Sequence, residues 1–254
     1  MVDIAGYHRG IIQKRTDWTE QVFSLRVTGA PLQFKAGQFT KLALLDEDGN
    51  VISRAYSLVN APLTSSDMLE FLIVAAPNGK LSPKLQNLRE GEGIYVSHSA
   101  HGDLIFETIP KQTKTLWLLS TGTGIGPFLS LLDDISFRPN SEKIVLVHGV
   151  RQESDLVYRY LIDQLVHEYQ GRLAYQPVVS REKVNDALHG RITDLISTGA
   201  LMEQCEAQFD ASHSFVMLCG NPEMIKDTTK ALQQLGLSKH RRAEPGNIVF
   251  ERYW

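Results

Sequence analysis

Leu116-Trp-Leu-Leu-Ser120 leads through Thr121 into Gly122-Thr-Gly124-Ile-Gly126-Pro127 and then into Phe128-Leu-Ser-Leu-Leu-Asp-Asp-Ile135.

 The run is apolar up to the hydroxyl of Ser120, and one threonine separates it from the glycines. A short apolar run, then glycines, then a second apolar run at helical spacing is the pattern of strand, tight turn and helix. Glycines at the turn let the backbone approach an anionic ligand without a Cβ clash, so the turn suits a pyrophosphate. Its spacing departs from GxGxxG, because the third glycine arrives one place early and Pro127 follows. A turn shaped by glycine for purely structural reasons is the competing reading. No Gly-Lys-Ser/Thr occurs, which disfavours a P-loop nucleotidase.

Outward from that turn the chain has two different grammars. From about residue 113 strands alternate with helices: Leu116–Ser120, a helix over Phe128–Ile135, a strand Lys143–His148, a helix over Asp155–Tyr169, strands Leu173–Val179 and Phe215–Cys219, and a closing helix Pro222–Leu235. In the second helix Leu156, Tyr160, Leu161 and Leu165 are expected on one buried side. Alternation of this kind predicts βαβ units and a parallel sheet covered on both faces. Before residue 110 the runs are short and turn-punctuated. Val22–Val27, Phe39–Leu45, Val51–Val59, Leu69–Ala75 and Gly93–Ser97 are separated by Gly/Pro/Asn/Asp clusters, which predicts an antiparallel barrel or sandwich. The expected fold is thus a β-barrel domain over residues 1–110 followed by an α/β domain over 111–254, joined near Pro110–Lys114. A chain of 254 residues has room for two such cores.

Composition narrows the function classes. A net charge of −3 argues against a broadly basic, nucleic-acid-coating protein. Cys205 and Cys219 are too few for an iron–sulfur cluster and lack partners at zinc-ligand spacing, so no metal site is expected. The N-terminal residues form no apolar signal-peptide core, and no stretch nears 18 uninterrupted apolar residues; a cytoplasmic protein with no membrane contact is expected.

Further motifs gather around the same chemistry. In Arg54-Ala55-Tyr56-Ser57, strand alternation puts Arg54 and Tyr56 on one face and Ser57 on the other. Arginine can fork onto a phosphate, tyrosine can stack on a flat ring, and Ser57 can hydrogen-bond a ring nitrogen that gains a proton on reduction. An edge strand with incidental residues is the alternative. In Gly79-Lys80-Leu81-Ser82-Pro83, Ser82 suits an N-cap and Pro83 a first helical position; the amides there would attract a pyrophosphate, although capping alone explains the pair. Arg151 and Arg181 follow strands, and Arg191 lies shortly beyond. NAD sites usually place a carboxylate after the second strand, so arginine there suits a 2′-phosphate, hence NADP; solvated loop arginines are the alternative. Cys219 at a strand's carboxyl end can pack beside a nicotinamide or be a small buried hydrophobe. The aromatic pair Tyr253-Trp254 closes the sequence and suits a flat cofactor or a core cap.

Taken in order, Arg-x-Tyr-Ser, Gly-Lys-Leu-Ser-Pro, Gly-Thr-Gly-Ile-Gly-Pro, Val-Ser-Arg, Cys-Gly-Asn-Pro-Glu-Met and the final Tyr-Trp make a chain that resembles the bacterial ferredoxin (flavodoxin)–NADP+ reductases over nearly its whole length. The resemblance implies an FAD-binding barrel, an NADP-binding α/β domain and a flavin between them. It implies FAD contacts from Arg54, Ala55, Tyr56, Ser57, Lys80, Leu81, Ser82, Thr123, Tyr253 and Trp254. It implies NADP contacts from Thr123, Gly124, Arg151, Arg181, Arg191 and, more weakly, Asp227. Ser57, Cys219, Glu251 and Tyr253 are the residues it implies at the reacting centre, with Tyr253 over the isoalloxazine, Trp254 against the adenine and Glu251 in proton exchange. The implied reaction is hydride transfer between NADPH and flavin N5, with electrons passed singly to ferredoxin or flavodoxin. A monomer is expected, and Lys239, Arg241 and Arg242 are a candidate docking patch for an acidic carrier, with a solvated charge run as the alternative. The reductase component of an oxygenase and a non-catalytic dinucleotide sensor are the rival classes.

Overall fold

The computed structural model describes residues 3–62, 68–241 and 243–252. The N-terminal half is an antiparallel sheet of β1 (Tyr7–Asp17), β2 (Val22–Thr28), β3 (Phe39–Leu45), β4 (Val51–Ser57), β5 (Leu69–Val74) and β6 (Gly93–His101), in the order β4-β3-β6-β1-β2-β5. The two edges of this sheet meet. Leu58 bridges Phe71 antiparallel, and the Val59 N–H donates to the Glu70 carbonyl at 2.9 Å, which closes the sheet into a barrel. Its interior is filled by Ile12, Phe23, Leu25, Leu42, Phe71, Ile73, Ile94 and Val96, one residue in two along each strand. A short helix, α1 (Ser82–Asn87), lies between β5 and β6.

The C-terminal half is a wholly parallel sheet of β7 (Thr115–Thr121), β8 (Lys143–Val150), β9 (Leu173–Val179), β10 (Leu188–His189), β11 (Ser214–Gly220) and β12 (Ile248–Arg252). The order is β10-β9-β8-β7-β11-β12, so the chain builds outward from β7 in one direction and then crosses back to build in the other. Helices α2 (Gly126–Asp133), α3 (Arg159–Glu168), α4 (Ile192–Ser197), α5 (Ala200–Gln204) and α6 (Pro222–Gln234) connect the strands. Strands covered on both faces are apolar throughout, and β11 is buried at all seven positions. The reversal of winding between β7 and β11 leaves a crevice at their carboxyl ends, the place where open α/β sheets take ligands.

One core joins the halves. Ala36, Val59, Leu72 and Leu104 from the barrel side pack in the same cluster as Ile125, Phe128, Leu131 and Phe137. Polar groups cross the joint as well. Ser130 Oγ donates to the Asn60 carbonyl at 2.8 Å, and the Tyr158 hydroxyl donates to Glu70 Oε1 at 2.7 Å, while Arg26 Nε holds Glu70 Oε2 at 3.0 Å.

Several elements depart from the sequence reading. The helix expected over Asp155–Tyr169 starts only at Arg159, because Glu153–Asp155 forms a separate 3-10 turn and Tyr158 adopts φ 59. That turn is held by reciprocal bonds between Gln152 and Asp155, and it sends Tyr158 to the barrel. Tyr160 consequently faces solvent at 77% exposure, and Ile162 joins Leu165 as the buried pair. Ser82 does not cap α1: Leu81 occupies that position and Ser82 Oγ instead accepts the Ala76 N–H at 3.1 Å. The strand expected over Val51–Val59 ends at Ser57, β6 runs on to His101, and α2 begins at Gly126 and stops at Asp133. The first strand, β1, and the last, β12, were not expected from the pattern.

Candidate active site

The glycine turn sits at the winding reversal. Residues 122–125 form one 3-10 turn that runs directly into α2, with Pro127 in its first turn. Gly122 has φ +53, a left-handed conformation that suits glycine. Gly124 is needed for a different reason: a Cβ there would lie 2.5 Å from the Cys219 carbonyl oxygen, so the turn packs directly on the end of β11. The opposing strand end is equally tight, since Gly220 lies against Thr121, whose Oγ1 accepts the Asn221 N–H at 3.0 Å.

From this turn a closed ring of contacts leads through both halves. Cys219 is fully buried and pairs in register with Ser120 on one side and Glu251 on the other. Glu251 reaches the barrel: its Oε1 accepts the Asp103 N–H at 2.8 Å, and the carboxylate lies against Gly102, where a Cβ would also meet Phe39 at 3.3 Å. Phe39 pairs with Ser57 across β3 and β4. Two residues on from Ser57, on the same side of the extended chain, Val59 meets Gly126 at 3.3 Å from where its Cβ would stand. Ser57, Glu251, Cys219 and the glycine turn therefore surround one junction between barrel and sheet.

Two polar atoms at this junction are buried with no hydrogen-bond partner, Ser57 Oγ and Glu251 Oε2. Buried polar groups without partners are uncommon and call for a ligand or a functional reason. Burial raises the Glu251 carboxyl to about 7; the amides of Asp103 and Leu104 pull it down, and the Asp103 charge adds to the rise. A hydroxyl and a carboxyl able to donate at neutral pH suit a heteroaromatic ring with acceptor and donor atoms along one edge, which is what an isoalloxazine presents. The donor set fits FAD.

The remaining expected residues fall in two groups. On the barrel, Arg54 and Ala55 are exposed on β4, with Arg54 Nη1 donating to the Ser53 carbonyl at 2.7 Å. Tyr56 packs partly on the barrel core, and burial pushes its hydroxyl up to about 12 against the opposing charge of Arg54. Lys80 is exposed, whereas Leu81 and Ser82 are buried at the start of α1. On the sheet, Thr123 and Gly124 are buried in the turn. Arg151, Arg181 and Arg191 are exposed at the carboxyl ends of β8, β9 and β10; the Arg181 N–H donates to the Arg151 carbonyl at 3.0 Å. Asp227 is exposed on α6, a turn beyond its N-terminus. Tyr253, Trp254 and Arg242 lie outside the described residues, and Arg241 faces Glu244 at 3.9 Å. Gly102, Asp103 and Phe39 were not singled out by the sequence reading; only the glycine beside an acid hinted at them.

The fold and the junction define a two-domain flavin- and nicotinamide-dependent oxidoreductase. The family model described as the oxidoreductase FAD-binding domain matches residues 13–103, and that described as the oxidoreductase NAD-binding domain matches residues 118–230. Curated relatives specify it further. The flavodoxin/ferredoxin–NADP reductase of Escherichia coli (strain K12) is 42% identical over 252 residues, covering 99% of this chain and 100% of the relative. The ferredoxin–NADP reductase of Pseudomonas aeruginosa is 38% identical over 92% of this chain and 93% of the relative. A crystal structure of a ferredoxin NADP+ reductase from Neisseria gonorrhoeae with bound FAD and NADP superimposes with a TM-score of 0.89 at 30% identity, covering 98% of this chain and 99% of that one. The chain belongs to the flavodoxin/ferredoxin–NADP reductase family.

Proposed function

We propose that this protein exchanges electrons between NADPH and a one-electron carrier, ferredoxin or flavodoxin, through FAD held at the barrel–sheet junction. The observation that supports it most is the pair of buried atoms without a hydrogen-bond partner, Ser57 Oγ and Glu251 Oε2, on residues that line the junction. When bound, the flavin supplies the conversion of a two-electron hydride into two single-electron transfers.

The chain's own residues bind, orient and protonate. Arg54 reaches the FAD phosphates from β4, with Ala55 and Tyr56 along the cofactor, and Lys80, Leu81 and Ser82 support the pyrophosphate from the start of α1. Ser57 holds the ring edge with its hydroxyl. Glu251, poised near neutrality, stores or returns a proton at its Oε2. Thr123 and Gly124 receive the nicotinamide half of NADP, with Cys219 packed beneath them. Arg151, Arg181 and Arg191 take the 2′-phosphate, and Asp227 borders that path. From the family resemblance, Tyr253 would cover the isoalloxazine face and give way to the nicotinamide, and Trp254 would stack on the adenine of FAD. In this reading the domains divide between residues 110 and 111, a point supported by its position between the end of β6 at His101 and the start of β7 at Thr115. The protein works as a cytoplasmic monomer in this reading; no helix among the described residues is long and apolar enough to cross a membrane.

Rapid mixing with NADPH and with NADH tests the reading. Flavin absorbance bleaches quickly with NADPH and slowly with NADH, and it returns on adding oxidised ferredoxin or flavodoxin. Protein that is colourless as purified and remains so after incubation with FAD would refute it.

A further inference from the structure

β8 is apolar from Ile144 to Val150 apart from Gly149 and one histidine, His148, which is fully buried. A buried imidazole needs partners for both ring nitrogens. Its Nε2 lies 3.1 Å from the Gly122 carbonyl oxygen, and its Nδ1 lies 3.5 Å from the Tyr175 hydroxyl on β9. A carbonyl only accepts, so Nε2 bears the proton and Nδ1 is the acceptor for Tyr175. Burial keeps the ring neutral and lowers its pKa to about 4; the Gly122 carbonyl opposes this, and the charge of Arg159 adds to it.

We propose that His148 is a positioning residue for NADP, aiming the Thr123 N–H by holding the carbonyl of Gly122. This rests on the reading that the glycine turn receives the dinucleotide. The described chain has no cis peptide, and in a planar trans peptide the C=O and the following N–H point in opposite directions. Fixing the Gly122 carbonyl toward His148 therefore turns the Thr123 N–H away from His148. Without that anchor a glycine at φ +53 can rotate the peptide at little cost. The amides at the start of a helical turn have no intrahelical acceptor, so their direction decides whether they meet a ligand. Strand register holds the ring in place, since His148 pairs with Ser120 on β7 and Pro177 on β9.

The test uses the FAD-loaded full chain, with NADP+ as the probe and the flavin difference spectrum as the readout. His148→Leu removes the donor, and the Kd for NADP+ is expected to rise about tenfold, the loss of one buried hydrogen bond. FAD content stays at the wild-type level, and kcat at saturating NADPH falls by a smaller factor than the affinity. His148→Gln, whose amide N–H reaches the same carbonyl, restores most of the affinity. Wild-type affinity in His148→Leu, or His148→Gln as weak as His148→Leu, overturns the proposal. Should the leucine variant fail to fold, nitrogen-15 spectra of the unaltered protein decide: the neutral Nε2–H tautomer at about pH 6 supports it, and the Nδ1–H tautomer or the imidazolium overturns it. Unaltered protein that gives no NADP+ difference spectrum would refute the function of the turn itself, a result distinct from any effect at His148.

Discussion

Replacing Arg181 and Arg191 by glutamine should separate NADPH from NADH. Both side chains are exposed beside Arg151 at the carboxyl edge of the sheet, and none of the three is in an ion pair among the described residues. The nearby Glu182 carboxylate is taken by the Glu153 N–H. Guanidinium groups left without a carboxylate on a ligand rim are available for phosphate. A charge-assisted hydrogen bond contributes about 1.5–3 kcal/mol, and the exposure of these residues selects the lower end. One substitution should then raise the NADPH KM about tenfold and both together about a hundredfold. The effect should shrink as salt is added, because exposed charges are screened. NADH has no 2′-phosphate, so its KM should barely move. Steady-state oxidation of each nucleotide with ferricyanide at low and high salt measures both. Surface substitutions of this kind cost little stability, so a folding defect would not imitate the result. An equal rise for NADPH and NADH would refute the assignment of these arginines.

Glu251→Gln tests the poised carboxyl. The ordinary glutamate value of 4.5 is raised to about 7 in the folded protein, so ionisation opposes folding as pH climbs through that interval. Wild type should therefore lose up to about 3 kcal/mol relative to the glutamine variant between about pH 4.5 and 7; parallel melting curves for the two across that range would disprove it. Removal of residues 253 and 254 should alter nicotinamide affinity and narrow the preference for NADPH over NADH, and unchanged steady-state kinetics would defeat the gating role of Tyr253. Tyr158→Phe deletes the hydrogen bond to Glu70 across the joint and should cost about 1–3 kcal/mol in urea denaturation, with an unaltered midpoint as the refuting result.

The two grammars of the sequence predicted the two sheets because each depends on local pattern. Strands β7, β8, β9 and β11 are largely buried on both faces and so are written as mostly apolar runs. β1 was not legible for the opposite reason. Its residues Tyr-His-Arg-Gly-Ile-Ile-Gln-Lys-Arg-Thr-Asp bury only Gly10 and Ile12, and a register shift between Ile12 and Lys14 breaks the alternation. β12 is short and begins after a loop, so five residues gave too little periodicity to separate strand from tail. The false start of the helix at Asp155 has a cause outside its own segment: Tyr158 leaves helical geometry to reach Glu70, 88 residues earlier in the chain.

The same distinction governs the site. Ser57, Cys219 and Glu251 belong to motifs and can be named from the sequence, yet nothing local shows that they share a junction. Cys219 and Glu251 become neighbours through the pairing of β11 with β12, and Glu251 meets Gly102 and Asp103 because the end of β12 comes against the residues that follow β6. Glu70 illustrates the point in reverse. A single acid within Leu69–Val74 signals a partner, since an unpaired carboxylate buried in a strand is costly, but the sequence does not say that Arg26 and Tyr158 are the two that answer it. Motifs thus identify which side chains have chemistry to offer, while strand order decides which of them meet. In this chain the winding reversal between β7 and β11 makes that decision, because it sets the glycine turn against the carboxyl end of β11.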